Sequence, residues 1–417
     1  MIRGILPEAT LVRLAWRSIW RNRRRTLITL SSMAFGLVLA IFMICFQEGT
    51  FGRMVDEAVR MQAGHVTVMH PRYLTAPSAD LFVGNAGALR ARIERLGGVE
   101  RTKELVMGQG LAKSAVGASG IAVTGVEPSG ELAESPLPRH ILKGRYLSDG
   151  GRAEAVIGME LARRLGIGVG SKFVVAVNNI NGELDEELCR VCGIFSMGSE
   201  EMDGYLIQVP IGFARRLYGL PPGSVTCLGV VLRNADDRFD VIGRISAMPE
   251  ARGAAIYPWE RVIPEVSGLI GIKRASARVL LFFLMFLVLF TVFNTLLMSV
   301  LERGREFGVM LALGTTAARL RAQVFLEVLF LNLLGCLAGL LLGSAIVLFL
   351  QSKGIDISKI YSSEVSISGF AFDKTLYPRL TGAVLGWVGG LAFSVTLVLG
   401  LIPVWRSAKI RVAEVLR

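Results

Sequence analysis

The chain has 417 residues, 52% of them hydrophobic, a mean hydropathy of +0.52 and a formal net charge of +12. Several apolar runs of about twenty residues or more make it an integral membrane protein. Residues 1–25, 302–321 and 405–417 carry 7, 4 and 4 basic residues against 1, 2 and 1 acidic, a net +11, whereas residues 51–278 carry 27 basic and 25 acidic. By the positive-inside rule both termini and the central loop face the cytoplasm and the large segment lies outside. The basic balance therefore reports topology and calls for the lipid bilayer, with no nucleic acid, as its partner.

Taken in order, residues 1–25 read as a cytoplasmic interfacial helix. Leu11, Leu14, Ala15 and Ile19 recur at helical spacing, with Arg13, Arg17 and Arg21 set off from them. Residues 26–50 form the first transmembrane helix, pinned by the basic run at 21–25. A cleaved signal peptide is disfavoured, because the apolar run is long and no small-residue cleavage pattern follows it. Residues 51–278 are an extracytoplasmic α+β domain with a helical stalk, the stalk at 52–61 and 259–278. Strands are expected at 65–69, 121–126, 155–157, 172–177, 188–195, 205–209 and 227–232, with a turn at Asn181-Gly182. Helices are expected at 86–96, 158–165, 211–218 and 238–247.

Residues 279–301 form the second transmembrane helix, 302–321 a cytoplasmic coupling segment and 322–350 the third. Residues 351–379 are an outer loop, 380–404 the fourth helix and 405–417 a cytoplasmic tail. The fold class is an α-helical membrane protein with four transmembrane helices plus a large α+β periplasmic domain between helices 1 and 2. Ser32, Gly36 and Ala40 recur every fourth residue, as do Gly335, Gly339 and Gly343, and Gly382, Gly386 and Gly390. Small residues at this interval let membrane helices approach closely. The second helix has no glycine and instead carries Thr291, Asn294, Thr295 and Ser299, which bond to a neighbouring helix or line a cavity.

Catalytic constellations are weak. The nearest approach to a phosphate loop, GIGVGSK at 166–172, has the wrong spacing and leads into a strand. No GxSxG elbow occurs, and His65, His70 and His140 are too scattered for a metal motif. Cys45 and Cys336 fall in apolar runs as small core residues. Cys189, Cys192 and Cys227 fall on the oxidising side, where a disulfide stays open. The acidic loop SEEMD at 199–203, with Glu200, Glu201 and Asp203, is either a solvated turn or a partner-docking loop.

One stretch organises the rest: ERGREFGVMLALG at 302–314 is a charged start followed by an apolar body, held between two membrane helices. A plain turn is the simple reading. Four motifs carry a resemblance to the MacB/FtsX/Lol superfamily of ABC-transporter permeases. They are LAWRSIWRNRRRT at 14–26, the outer-domain stretch 154–173, the 302–314 segment with Glu327 following it, and PVWRSAKIRVAEVLR at 403–417. Val412 stands where that family usually has proline.

The resemblance implies two permease subunits, a second copy or a paralogue, working with two copies of a separate cytoplasmic ABC ATPase. It implies no catalytic site and no cofactor bound directly, with ATP and Mg held by the partner ATPase. Arg305, Glu306, Phe307, Gly308, Met310, Leu313 and Gly314 become the ATPase-coupling residues. Thr291, Asn294, Glu200, Glu201 and Asp203 become substrate or partner residues. ATP-driven motion is then passed to an outer domain in the bacterial inner membrane. The stretch CGIFSMGSEEMD at 192–203 and the QAGH approach at 62–65 are most similar to the Lol branch, which releases lipoproteins to a periplasmic chaperone. MacB-like efflux through an adaptor and FtsX-like signalling to a cell-wall hydrolase are the alternatives.

Overall fold

The computed structural model describes residues 8–150, 153–356, 366–367, 370–371 and 375–407. The tail motif beyond 407 and most of the outer loop at 357–374 lie outside the described residues. The chain forms two units, one of Met1–Phe51, Ile272–Ile357 and Thr375–Arg417 and one of Gly52–Gly271 and Ser358–Lys374.

The first unit is helical. Its elements are α1 (Glu8–Arg21), α2 (Arg23–Met61), α3 (Pro264–Glu302), α4 (Gly304–Ala312), α5 (Ala317–Lys353) and α6 (Gly382–Ser407). By length and composition α2, α3, α5 and α6 are each long and apolar enough to cross a membrane. The division between the two units falls inside α2 and α3. Helix α1 buries Ala15 and Ile19 and leaves Leu14, Trp16 and Trp20 partly exposed. The Trp16 ring meets Phe330 of α5 edge-on at 5.7 Å. At the break after Arg21, Thr26 Oγ1 donates to the Ile19 carbonyl at 2.5 Å, closing the elbow between α1 and α2.

Glycine decides how closely these helices approach. A Cβ added at Gly335, Gly339 or Gly343 of α5 would stand 2.9 Å from Met33 Sδ, 2.7 Å from Leu37 Cβ and 2.9 Å from Ile41 Cδ1, all on α2. Gly36 of α2 is likewise covered by Val288 of α3. The row at Gly382, Gly386 and Gly390 behaves otherwise: a Cβ at any of the three meets nothing within 4 Å. Helix α6 instead turns Gly389 and Gly400 toward Leu340 and Val328 of α5. These two lie eleven residues apart, close to three helical turns, so they share a face that the every-fourth spacing drifts away from. Asn332 Nδ2 of α5 also donates to the Phe393 carbonyl of α6 at 2.9 Å, a polar bond between apolar helices.

Among the described residues the main sheet of the second unit has ten strands: β1 (Val66–Met69), β2 (Val99–Lys113), β3 (Ala118–Val126), β4 (Ile141–Gly144), β5 (Glu154–Gly158), β6 (Lys172–Asn178), β7 (Leu184–Phe195), β8 (Leu206–Pro210), β9 (Cys227–Leu232) and β10 (Ala255–Pro258). Pairing runs from β2 through β3, β8, β5, β7 and β6 back to β2, so these six strands close into a ring. Phe173, Val175, Val177, Val191, Ile207 and Val209 belong to the buried core of this part. The amino-terminal half of β2 pairs with β9 instead, and β9, β1 and β10 extend an antiparallel sheet. That sheet has its own core, including Val68, Leu89, Val230 and Ile245. The long strand β2 thus serves both lobes.

Asn179 builds the β6–β7 turn, its Oδ1 accepting from the amides of Asn181 and Glu183, with Gly182 at φ 79°. Gly64, at φ 80°, lies against the Val230 backbone with no room for a side chain. Among the described residues Cys189, Cys192 and Cys227 are free, buried thiols. Burial pushes them up to about 12, 11 and 12, away from the reactive thiolate.

These contacts separate the two glycine rows by a measurement. Gly339→Val should destabilise the purified protein by about 1–3 kcal/mol through overpacking against Leu37, read as a lowered melting temperature in detergent. Gly386→Val should leave that temperature unchanged, and equal losses from both would contradict the packing described.

Candidate functional site

The 302–314 stretch folds as the end of α3, a one-residue break at Arg303 and the short helix α4. Gly314 at φ 93° ends α4, its amide bonding the Leu311 carbonyl while Thr315 N bonds the Met310 carbonyl. Thr316 then caps α5 by accepting from the Arg319 amide. The segment is therefore clamped at both ends.

Arg303 is the hub. Its Nη1 donates to Glu327 Oε2 of α5 at 2.7 Å, its Nε to Glu306 Oε2 at 3.3 Å, and its guanidinium lies 5.0 Å from the centre of the Phe307 ring. The Arg303 and Glu327 side chains are only 14% and 12% exposed, so removing either strands a charge in a poorly solvated place. Glu306 also accepts from Arg21 Nη2 at 2.7 and 2.8 Å, and Arg25 pairs with Glu302. The Arg21 guanidinium, helped by Arg303, holds the Glu306 carboxyl below the usual carboxylate range. Ion pairs thus tie α4 directly to α1 through Glu306 and Arg21 and, by way of Arg303, to Glu327 of α5, while Arg25 and Glu302 join α2 to α3. A cavity of about 960 Å³ opens between α1 and α4, lined in part by Trp16, Arg17, Trp20, Arg305 and Val309.

Burial sorts the expected coupling residues into two sets. Phe307 is fully buried and Gly308 buried with it, so neither presents itself to another protein, which corrects the expectation for both. Amphipathic spacing is the reason: Phe307 falls on the face of α4 turned into the helical core. The outward face carries Arg305, Glu306, Val309 and Leu313, the last 81% exposed, with Gly314 beside it. Met310 is half-buried and lines the cavity.

The other candidates separate in the same way. Asp203 is a buried staple, accepting from Ser196 Oγ at 2.7 Å and the Met197 amide at 2.8 Å, and so offers nothing to a partner. Glu200 and Glu201 are exposed in the first turn of the short helix Glu200–Tyr205, whose Ser199 cap fixes them. Thr291 and Thr295 donate to carbonyls of their own helix, Leu287 and Thr291, at 2.9 and 2.8 Å, rather than to a neighbour. Asn294 is exposed without a side-chain partner among the described residues. Thr295 does line a cavity of about 370 Å³, together with Arg25, Glu302 and Glu327.

Comparison with known proteins fits this geometry. Residues 26–248 match the model of the MacB-like periplasmic core domain and residues 278–412 that of the FtsX-like permease C-terminal region. An uncharacterized ABC transporter permease of Methanocaldococcus jannaschii is 22% identical over 98% of this chain and 97% of its own length. The lipoprotein-releasing system transmembrane protein LolC of Xylella fastidiosa is 22% identical over 70% of this chain and 72% of its own. The macrolide export ATP-binding/permease protein MacB of Pectobacterium atrosepticum is 33% identical over 23% of this chain and 14% of its own. The chain belongs to the MacB/FtsX/Lol family of ABC-transporter permeases, membrane proteins with a periplasmic domain that work with an ATPase.

If Arg303 and Glu327 act as one unit, their substitutions are not additive. Arg303→Met and Glu327→Gln should each lower the melting temperature, and the double variant should recover about 0.5–3 kcal/mol of coupling relative to the sum. Simple additivity would dissolve the hub.

Proposed function

We propose that this chain is the permease subunit of a transporter that releases lipoproteins from the bacterial inner membrane, driven by a separate ATPase docking on α4. The observation that carries the docking is the exposed row Arg305, Val309 and Leu313 on a short helix that Glu306 ties to Arg21 and Arg303, with Arg303 held in turn by Glu327. An exposed apolar ridge between two membrane helices calls for a protein cover. Motion given to α4 passes through Arg303 and Arg21 to α5 and α1. On this reading both termini and α4 are cytoplasmic and the strand-rich unit is periplasmic. A second copy or a paralogue completes the transporter, and ATP and Mg are bound by the ATPase. The lipoprotein reading is supported by the long LolC alignment, against only 96 matched residues for MacB. A periplasmic chaperone is then the acceptor.

Two measurements test this. Leu313→Asp should abolish permease-stimulated ATP hydrolysis at unchanged melting temperature, whereas Phe307→Ala should cost about 3–5 kcal/mol of stability as a core deletion. Stimulation that survives Leu313→Asp refutes the docking face. Photocrosslinkers at Phe46 and Val279 should capture an acylated protein. Capture of a small amphiphile or of a soluble hydrolase would replace lipoprotein release with efflux or signalling.

A further inference from the structure

Two grooves meet where α2, α3 and α6 approach the end of the bundle at which α2 and α3 lead toward the strand-rich part of the sequence. One, of about 480 Å³, includes Gln47 and Glu48 of α2 and Arg274 of α3. The other, of about 440 Å³, runs along Phe282, Met285, Phe286 and Leu289 of α3 and Leu391 and Val395 of α6. Arg278, Leu281 and Trp387 line both, so the grooves are continuous. From Arg278 to Leu289 the helix rises about 16 Å at 1.5 Å per residue, about half of a 30 Å hydrocarbon core. The lower groove thus has the depth of one leaflet and the walls of a hydrocarbon solvent.

Its mouth is charged. Arg278 makes no hydrogen bond or ion pair among the described residues, and Arg274 approaches its one carboxylate, Glu48, only to 3.9 Å. Two cations at the edge of an apolar groove leave positive charge unmet, and a neighbouring carboxylate adds a place for an amine. Trp387 sits at the same level, 57% exposed, as interfacial tryptophans do.

We propose that this groove holds one aminophospholipid: its phosphate on Arg278 and Arg274, its ammonium toward Glu48, and one acyl chain between α3 and α6 over Phe282, Met285 and Phe286. A free phosphate would leave the apolar groove empty. The acylated cysteine of a lipoprotein carries no phosphate and would leave the arginines unmet. The bound lipid supplies packing to α3, whose most apolar stretch is only 12% buried.

The test uses the full chain in nanodiscs with phosphatidylethanolamine bearing a photoactivatable acyl chain, the labelled peptides being read by mass spectrometry. Labelling should fall on α3 at 282–289 and on α6 at 387–395. Arg278→Glu should lower it more than about fivefold, since one cation's attraction at a lipid surface is lost and a repulsion added, while Arg278→Lys keeps it. Glu48→Gln should erase the preference for phosphatidylethanolamine over phosphatidylglycerol. Labelling indifferent to Arg278→Glu at unchanged melting temperature, or equal for both lipids in the unaltered protein, overturns the proposal. So does displacement of the probe by a triacylated peptide, which would make the groove a substrate site.

Discussion

The helical unit depends on one guanidinium. Arg303 interrupts the chain between α3 and α4, and its contacts with Glu327, Glu306 and Phe307 set the direction in which α4 leaves the membrane helix. Two properties make it suited to this. Its planar fork reaches two carboxylates at once, and its face lies over an aromatic ring that is itself part of the core. A lysine would keep the charge and lose the geometry. Breaking a largely buried pair costs about 3–5 kcal/mol, so Arg303 and Glu327 hold α4 far more firmly than the exposed pairs Arg21–Glu306 and Arg25–Glu302, each worth about 0–1 kcal/mol. The exposed pairs set the angle of α1 and the start of α2; the buried pair sets the fold of the segment.

The strand-rich unit has its own buried pair. Lys103 and Glu131 are 6% and 2% exposed, and Lys103 Nζ also donates to the Arg60 carbonyl at 2.5 Å in the last turn of α2. A cation at a helix C-terminus meets the negative end of the helix dipole. Arg60 itself pairs with Asp56 and Glu100. The end of α2 is thus fixed to β2 by charge, and β2 is the strand shared by both lobes.

How much of this was legible in the sequence follows from what each element buries. The apolar helices could be read from composition alone, and strands such as β6 and β9 from apolar runs. Strand β2 could not: it changes partners halfway, bulges between Val99 and Arg101, and contains Gly108 and Gly110 pressed against Tyr218 and Val177, so no period-two pattern survives. The coupling stretch could be located but not oriented. Phe307 and Leu313 are alike in hydrophobicity, and only the rotation of α4 buries one and exposes the other. The third glycine row failed for a related reason, since small residues every fourth position state that a face exists without stating what it meets. The long-range arginine–carboxylate contacts, which join residues up to 285 positions apart, had no local signal.

Transmission of motion from α4 to α1 rests on the Arg21–Glu306 pair, and a charge reversal addresses it directly. Arg21→Glu and Glu306→Arg should each lower permease-stimulated ATP hydrolysis, and the two together should restore it in part, because the pair is re-formed with its signs exchanged while the contact of position 306 with Arg303 is not. Unchanged hydrolysis in the single variants, or no recovery in the double, would show that the grip on α4 does not transmit the motion.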